Sequence, residues 1–203
     1  MFRQLAIAAT AAFSMASAVS AAIPVYGAPG TEAAQVATYT APFAGDVTGW
    51  FLFRDAGFNS EVGVGINGGA PVYYGLTNSL AQGTQVGLGS VAAGDVIRFY
   101  LNVTTTGNVF STDVSENSDG FNHAWHTPYA GGDFGVPASL VIGWEDILGG
   151  GDKDYNDNVF AFRFPGAPNG GVPEPATWAL LIAGFGMVGL ALRRRPRLQS
   201  VTA

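Results

Sequence analysis

The chain of 203 residues contains no cysteine. Neither a disulfide framework nor a thiol catalyst is possible, and stability must come from a packed core, with any bound metal adding to it. Positive charge is nearly as scarce. Between Ile23 and Pro173 only Arg54, Arg98, Lys153 and Arg163 are basic against fourteen acidic residues, a net charge of −10 where the whole chain carries −6. Such a surface disfavours nucleic acid as a partner and suits divalent cations. Histidine occurs only at positions 123 and 126. No Gly-x-Ser-x-Gly elbow, His-Glu-x-x-His helix or phosphate loop is present. Nor does any span before residue 174 sustain a 3.6-residue apolar period.

Glycine, by contrast, occurs 29 times, phenylalanine 14 and tyrosine 7, the composition of many short strands joined by glycine-rich turns. Residues 95–103, DVIRFYLNV, alternate as a half-buried strand, with Ile97, Phe99, Leu101 and Val103 facing in and Arg98, Tyr100 and Asn102 facing out. Further strands are expected at 36–41, 47–53, 61–66, 71–76, 86–88, 108–112, 140–144 and 159–164. Asn67-Gly68-Gly69 is the hairpin signal between two of them. The total is eight or nine strands. A jelly-roll-like antiparallel β-sandwich over residues 23–165 is the natural way to bury their inner faces, and about 150 residues suffice for one such core.

The chemistry concentrates between two apolar runs, SLVIGW and VFAFRF. Glu145, Asp146, Asp152, Asp154, Asn156, Asp157 and Asn158 fall within fourteen positions, interrupted by Gly149 to Gly151, with Lys153 the only basic residue among them. Carboxylates crowded this closely repel one another unless a cation sits between them, and side-chain oxygens on a flexible backbone are what calcium needs. Asp152, Asp154 and Asn156 alternate like the first ligands of an EF-hand, but Asp157 stands where that loop needs glycine and Arg163 where it needs glutamate. Glu145, Asp146, Asp152, Asp154, Asn156 and Asp157 are therefore expected to close a β-hairpin or longer strand connection and to bind calcium. Asp119 is a further expected ligand, from an irregular segment at 113–135 that folds over the neighbouring sheet edge. The competing reading is ordinary turn chemistry, with Asp152 and Asn156 accepting backbone hydrogen bonds.

The segment EDILGGGDKDYNDNVF, with FNHAWHTPYAGG upstream, resembles the signature of the bacterial secreted domains known as DUF4114. The resemblance is good over residues 95–164 and looser before them. It implies a β-rich, surface-associated, calcium-binding domain with no assigned enzymatic activity.

The residue types present also allow three other uses. A zinc site at His123 and His126 would want an i, i+3 pair on a helix, and none is evident. Trp125 and Tyr129 form a conceivable sugar-stacking platform, which makes a carbohydrate-binding surface module the alternative function. A glycosidase pair drawn from Glu145 and Asp146, or from Asp152 and Asp154, would need carboxyls about 5–9.5 Å apart across a cleft. Carboxylates sharing a glycine-rich loop suit metal binding better, and the chain is expected not to be an enzyme.

Residues 1–22 read as an export signal, with Arg3 at the start, an apolar core from Leu5 to Ala18 and small residues before Val19 or Ile23. At the other end a linker at 166–173 leads into Pro173-Glu174-Pro175, an apolar span at 176–192 and the basic cluster Arg193, Arg194, Arg195 and Arg197. The span just suffices to cross a hydrocarbon core of about 30 Å as a transmembrane helix. The basic cluster places the domain outside the cytoplasm. This order of features, within 174–203 and the proline before it, resembles the PEP-CTERM sorting signal of Gram-negative bacteria. The resemblance implies recognition by an exosortase at the inner membrane, cleavage near Pro173, Glu174 and Pro175, and delivery to the cell surface or extracellular polysaccharide matrix. A permanent single-pass anchor is the simpler alternative. Intact-mass measurement of surface-released protein decides between them: sorting predicts loss of Trp178 to Ala203, and their retention leaves the plain anchor.

Overall fold

The structure, a computed structural model, describes residues 22–34 and 38–167 together with Ala183 and Phe185. The chain divides into two units, Ser20–Val172 and the chain ends Met1–Val19 with Pro173–Ala203. Of the second unit only Ala183 and Phe185 are described, and both are helical. The expected export signal apart from Ala22, the linker beyond Ala167, the Pro173, Glu174 and Pro175 triplet, and the rest of the 176–192 span lie outside the described residues. Among the described residues no helix is long and apolar enough to cross a membrane.

Within residues 20–172 the described structure is all-β. Its strands are β1 (Tyr39–Thr40), β2 (Gly45–Phe53), β3 (Ser60–Ile66), β4 (Val72–Leu76), β5 (Gln85–Val91), β6 (Val96–Val103), β7 (Asn108–Ser111), β8 (Ala124–Tyr129), β9 (Ser139–Trp144) and β10 (Asn158–Arg163). Three short 3-10 turns, at Thr77–Ser79, Val114–Glu116 and Asp133–Gly135, are interspersed. The strands form two five-stranded sheets. One runs β1-β6-β3-β4, with β7 also paired to β6, and the other runs β5-β2-β10-β9-β8. Every pairing is antiparallel. The β3–β4 connection shows why the sequence turns where it does. Asn67 and Gly68 both take positive φ, 54° and 73°, and the Gly69 N–H donates to Ile66 O at 2.9 Å, which closes a tight turn whose twist matches the strands.

The inner faces of the two sheets share one core. Ile97, Phe99, Leu101 and Val103 of β6 are fully buried, and Phe160 and Phe162 of β10 meet them from the opposite sheet. The Phe99 and Phe162 rings lie 4.2 Å apart between centroids. The second sheet is covered on its outer face as well, where Trp50, Leu52, Val141, Val159 and Ala161 pack with Tyr129, Val136 and the partly buried Ile23 and Trp125. Two-sided burial explains why β9 reads as the unbroken apolar run SLVIGW rather than as an alternation. It also gives residues 22–34 a role. Ile23 covers the apolar face, the Gly30 N–H donates to Lys153 O, the Ala33 N–H donates to Tyr155 OH, and Asn122 Nδ2 reaches the carbonyls of Ala33 and Ala34.

Two expectations need correction. Ten strands stand among the described residues rather than eight or nine, and residues 113–135 are not one irregular segment. β8 lies within it, paired residue for residue with β9 from Ala124↔Trp144 to Tyr129↔Ser139. Its Pro128 argues against a strand in sequence, but β8 is an edge strand, where a missing N–H costs no ladder bond. Replacing a shared-core ring tests the arrangement. Phe162→Ala is expected to lower unfolding free energy by about 3–5 kcal/mol in chemical denaturation, whereas Val109→Ala, at a side chain 42% exposed, should cost less than about 1 kcal/mol.

Candidate metal centre

Residues 145–157 connect β9 to β10, so the expected strand connection is present. Its end is laced together by carboxylates standing in for strand partners. The ladder closes at Asn158↔Trp144. Beyond it the Tyr155 N–H donates to Glu145 Oε1 at 2.6 Å, and the Asp146 N–H donates to Asp157 Oδ2 at 2.8 Å. The return strand passes so close that a Cβ at Gly143 would collide with the Tyr155 carbonyl. Lys153 and Tyr155 hold positive φ of 58° and 56° without being glycine, backbone strain that the surrounding hydrogen bonds must hold in place.

This path brings carboxylate oxygens of Glu145, Asp152 and Asp154 within 4.8 Å of one another. Two oxygens each about 2.4 Å from one calcium ion are at most about 4.8 Å apart, so the three can share one ion. Glu145 is 1% exposed, and its Oε2 has no hydrogen-bond partner in the protein. A Cβ at Gly151 would stand 3.0 Å from that oxygen, so the absence of a side chain there leaves a cradle beside it. Among the described residues no lysine, arginine or histidine pairs with Glu145, Asp146, Asp152, Asp154 or Asp157. Lys153 turns instead over the Phe121 ring, its Nζ 5.3 Å from the centroid.

The electrostatic consequence has the same sign at Glu145, Asp146, Asp154 and Asp157. Burial, reinforced by the charges of Asp152 and Asp154 and only partly offset by the Tyr155 N–H, pushes the Glu145 carboxyl up to about 7. Burial also raises Asp154, with Asp152 and Asp55 adding to it against the Asn156 N–H. Asp146, fully buried, and its half-buried neighbour Asp157 are both raised, first by burial, with the Arg54 charge only partly offsetting the rise at Asp146. These are carboxylates that resist ionising without a counter-charge.

The remaining expected ligands are arranged differently. Asp146 and Asp157 form a pair of their own through the Asp146 N–H. Asn156 donates its side-chain amide to Asp154 Oδ2, and its N–H donates to Asp154 Oδ1 at 3.1 Å, so an Asx turn exists at Asp154 rather than at Asp152 or Asn156. Asp119 acts as a fastener. Its Oδ2 accepts from the Gly149 N–H at 2.8 Å and contacts His123 Nε2 at 3.0 Å, while its Oδ1 accepts from the Phe121 N–H. Burial alone would raise Asp119, but those three hydrogen bonds together hold it below the usual carboxylate range. His123 is fully buried, stacked on Phe110 at 3.6 Å, with Nδ1 on Glu145 O, whereas His126 contacts Tyr39 OH through Nδ1. The two histidines therefore serve separate contacts and share no ligand position. Tyr129 is 1% exposed and donates its OH to Asp133, which leaves no stacking platform there. Trp125 does line a cavity of about 280 Å³ with Tyr26, Phe53, Asp154, Tyr155 and Asn156.

Asn158 was not among the expected ligands, yet it is fully buried with neither side-chain atom partnered. A signal existed: it shares the inward face of Phe160 and Phe162, where an amide has no place in an apolar alternation.

The raised carboxyls fix a pH dependence. A carboxyl whose folded pKa lies above its unfolded value takes up a proton on folding, so stability falls as pH rises between the two values and stays low above the folded one. For Glu145 that window runs from its ordinary 4.5 to about 7. In chelator, the melting temperature is expected to fall from pH 5 to pH 8, with Glu145→Gln showing a shallower fall. A melting temperature rising over that range would contradict the electrostatics.

Residues 43–165 match the family described as Domain of unknown function (DUF4114), and residues 171–195 match the PEP-CTERM protein-sorting motif. No curated protein and no solved structure matches the chain. The sorting motif marks an exported exosortase substrate with a membrane-anchored precursor in a Gram-negative bacterium. With its family match spanning most of the chain, including the whole β9–β10 connection, the chain belongs to the DUF4114 family.

Proposed function

We propose that this protein is a non-enzymatic component of the cell surface or extracellular matrix, structural or adhesive, whose β domain binds calcium through the β9–β10 connection. The observation that carries this reading is Glu145 Oε2, a buried carboxylate oxygen without a partner, aimed at the cradle beside Gly151 with oxygens of Asp152 and Asp154 in reach. An all-oxygen set on a strained, glycine-rich loop suits a hard cation with six to eight ligands, the rest supplied by water or backbone carbonyls. The span at 176–192 then serves as transmembrane address or tether for a jelly-roll-like sandwich outside the inner membrane.

Carbohydrate binding is the second reading, and the aromatic cavity at Tyr26 and Trp125, with Asp154 and Asn156 on its wall, is what favours it. Glycan processing has less support, because the three clustered carboxylates share one loop rather than standing on opposite walls of a cleft.

Calcium binding to the folded form alone raises stability by about 2.7 kcal/mol when the free ion is one hundred times Kd. For a domain near 150 residues that is about 5–10 °C in melting temperature. The expected outcome is a calcium-dependent rise up to that size, smaller with magnesium, reduced or abolished in Asp154→Ala, and kept in Asp46→Asn, an exposed position on β2. Calorimetry of metal-stripped protein without heat of binding up to about 10 mM calcium, tenfold above the weak end of extracellular modules, would return the loop to ordinary turn chemistry.

A further inference from the structure

Six buried side-chain polar atoms lack a hydrogen-bond partner among the described residues, and five of them belong to one end of one hairpin: Trp144 Nε1, Glu145 Oε2, Asp146 Oδ2, and Asn158 Oδ1 and Nδ2. Orphaned polar groups are rare in folded interiors and costly singly, so their concentration at one place points to a bound group rather than to scattered imperfection. The calcium site proposed above accounts for Glu145 Oε2 and leaves four.

Those four sit together at the end of the β9–β10 ladder. Trp144 and Asn158 stand directly opposite each other at the last rung of the β9–β10 ladder, both fully buried and on the side of the shared core. Asp146, 1% exposed, is tied to Asp157, the neighbour of Asn158, by its own N–H. The two carboxyl groups also interact side chain to side chain across the hairpin, and among the described residues no cationic side chain forms an ion pair with either. A buried water could bridge the orphaned donors and acceptors, but it would leave two adjacent carboxylates without an ion-pair partner, Arg54 acting on Asp146 only through its field. A divalent cation neutralises both, takes Asn158 Oδ1 as a neutral ligand, and leaves its own water ligands to accept from Asn158 Nδ2 and Trp144 Nε1.

We propose that the closed end of the hairpin holds a second, inner divalent-cation site built from Asp146, Asp157 and Asn158, separate from the outer site of Glu145, Asp152 and Asp154. Its donors are all oxygen. The one nearby imidazole, His123, has both nitrogens engaged elsewhere, which makes this a calcium site and not one for zinc. The outer ion organises the loop, whereas the inner one clamps β9 to β10 where the core begins. The inner site extends the calcium reading but stands on different atoms, so the two can fail separately.

The test counts ions on the purified full-length chain in detergent, stripped with chelator and titrated with calcium, by calorimetry and native mass spectrometry. Two ions per chain in the wild type, one in Asp154→Asn and one in Asn158→Leu are expected, the leucine filling the amide's volume without offering a ligand. One ion in the wild type and none in Asp154→Asn defeats the inner site while leaving the outer one standing. No ion in the wild type defeats both. Two ions retained in Asn158→Leu and Asp146→Asn also overturn the assignment. Should either of those variants fail to fold, the counts in the wild type and Asp154→Asn decide alone.

Discussion

Burial of β10 on both of its faces is the constraint on which the rest depends. Phe160 and Phe162 point into the core shared by the two sheets, and Val159 and Ala161 point into the second cluster covering the outer face. A strand so enclosed, paired to β2 on one side and β9 on the other, cannot be approached by a loop lying in solvent. The two ends of the connection that feeds it are drawn in with it, Glu145 and Asp146 among them, while Ile147, Leu148 and Asp152 at its middle stay exposed. Glu145 and Asp146 are buried because they continue a strand whose every residue is buried.

Burying anionic groups is unfavourable, and the fold meets that cost in two different ways. Asp119 lies against the loop from the β7–β8 connection and receives hydrogen bonds from Gly149, His123 and Phe121, enough to favour its charged form despite burial. Glu145 has only the Tyr155 and Asp154 backbone N–H groups, Asp146 and Asp157 depend chiefly on each other, and the charged forms of all three are disfavoured. One carboxylate is thus a satisfied fastener, while the others call for a cation. The contrast lies in the number of donors, since all of them are acidic side chains around the same loop.

On the reading proposed here, cation binding also answers the lack of cysteine. An exported domain without disulfides has only its core and its ligands to hold it, and ions at the end of the central hairpin act where β9 and β10 leave the ladder. Residues 22–34 add a third tie. They begin where export processing is expected to leave the new terminus, and they fasten to Lys153, Tyr155 and Asn122, so the chain's N-terminal segment locks onto the same loop. The family match begins at residue 43, which makes this strap a feature of the chain outside the matched segment.

Much of this was legible in the residues alone, because the signals are local. The period-two alternation of β6 and β10 states which side chains face inward, Asn67-Gly68 states a turn through its backbone preference, and the crowding of acids states an electrostatic problem. The order of proline-flanked glutamate, apolar span and arginines states an address. Other features depended on residues far apart in sequence and were decided only by the tertiary structure. β8 is a strand because β9 offers its edge, which overrides the discouragement of Pro128. Asp119 became a fastener because Gly149 and His123 arrived with their N–H groups. The seven expected ligands separated into a cluster, a pair, an Asx partner and a fastener because hydrogen bonds across the hairpin, invisible in spacing, chose which oxygens were left free. Asn158 became conspicuous only when folding buried it, since an amide's lack of partners is a property of its surroundings and not of the residue.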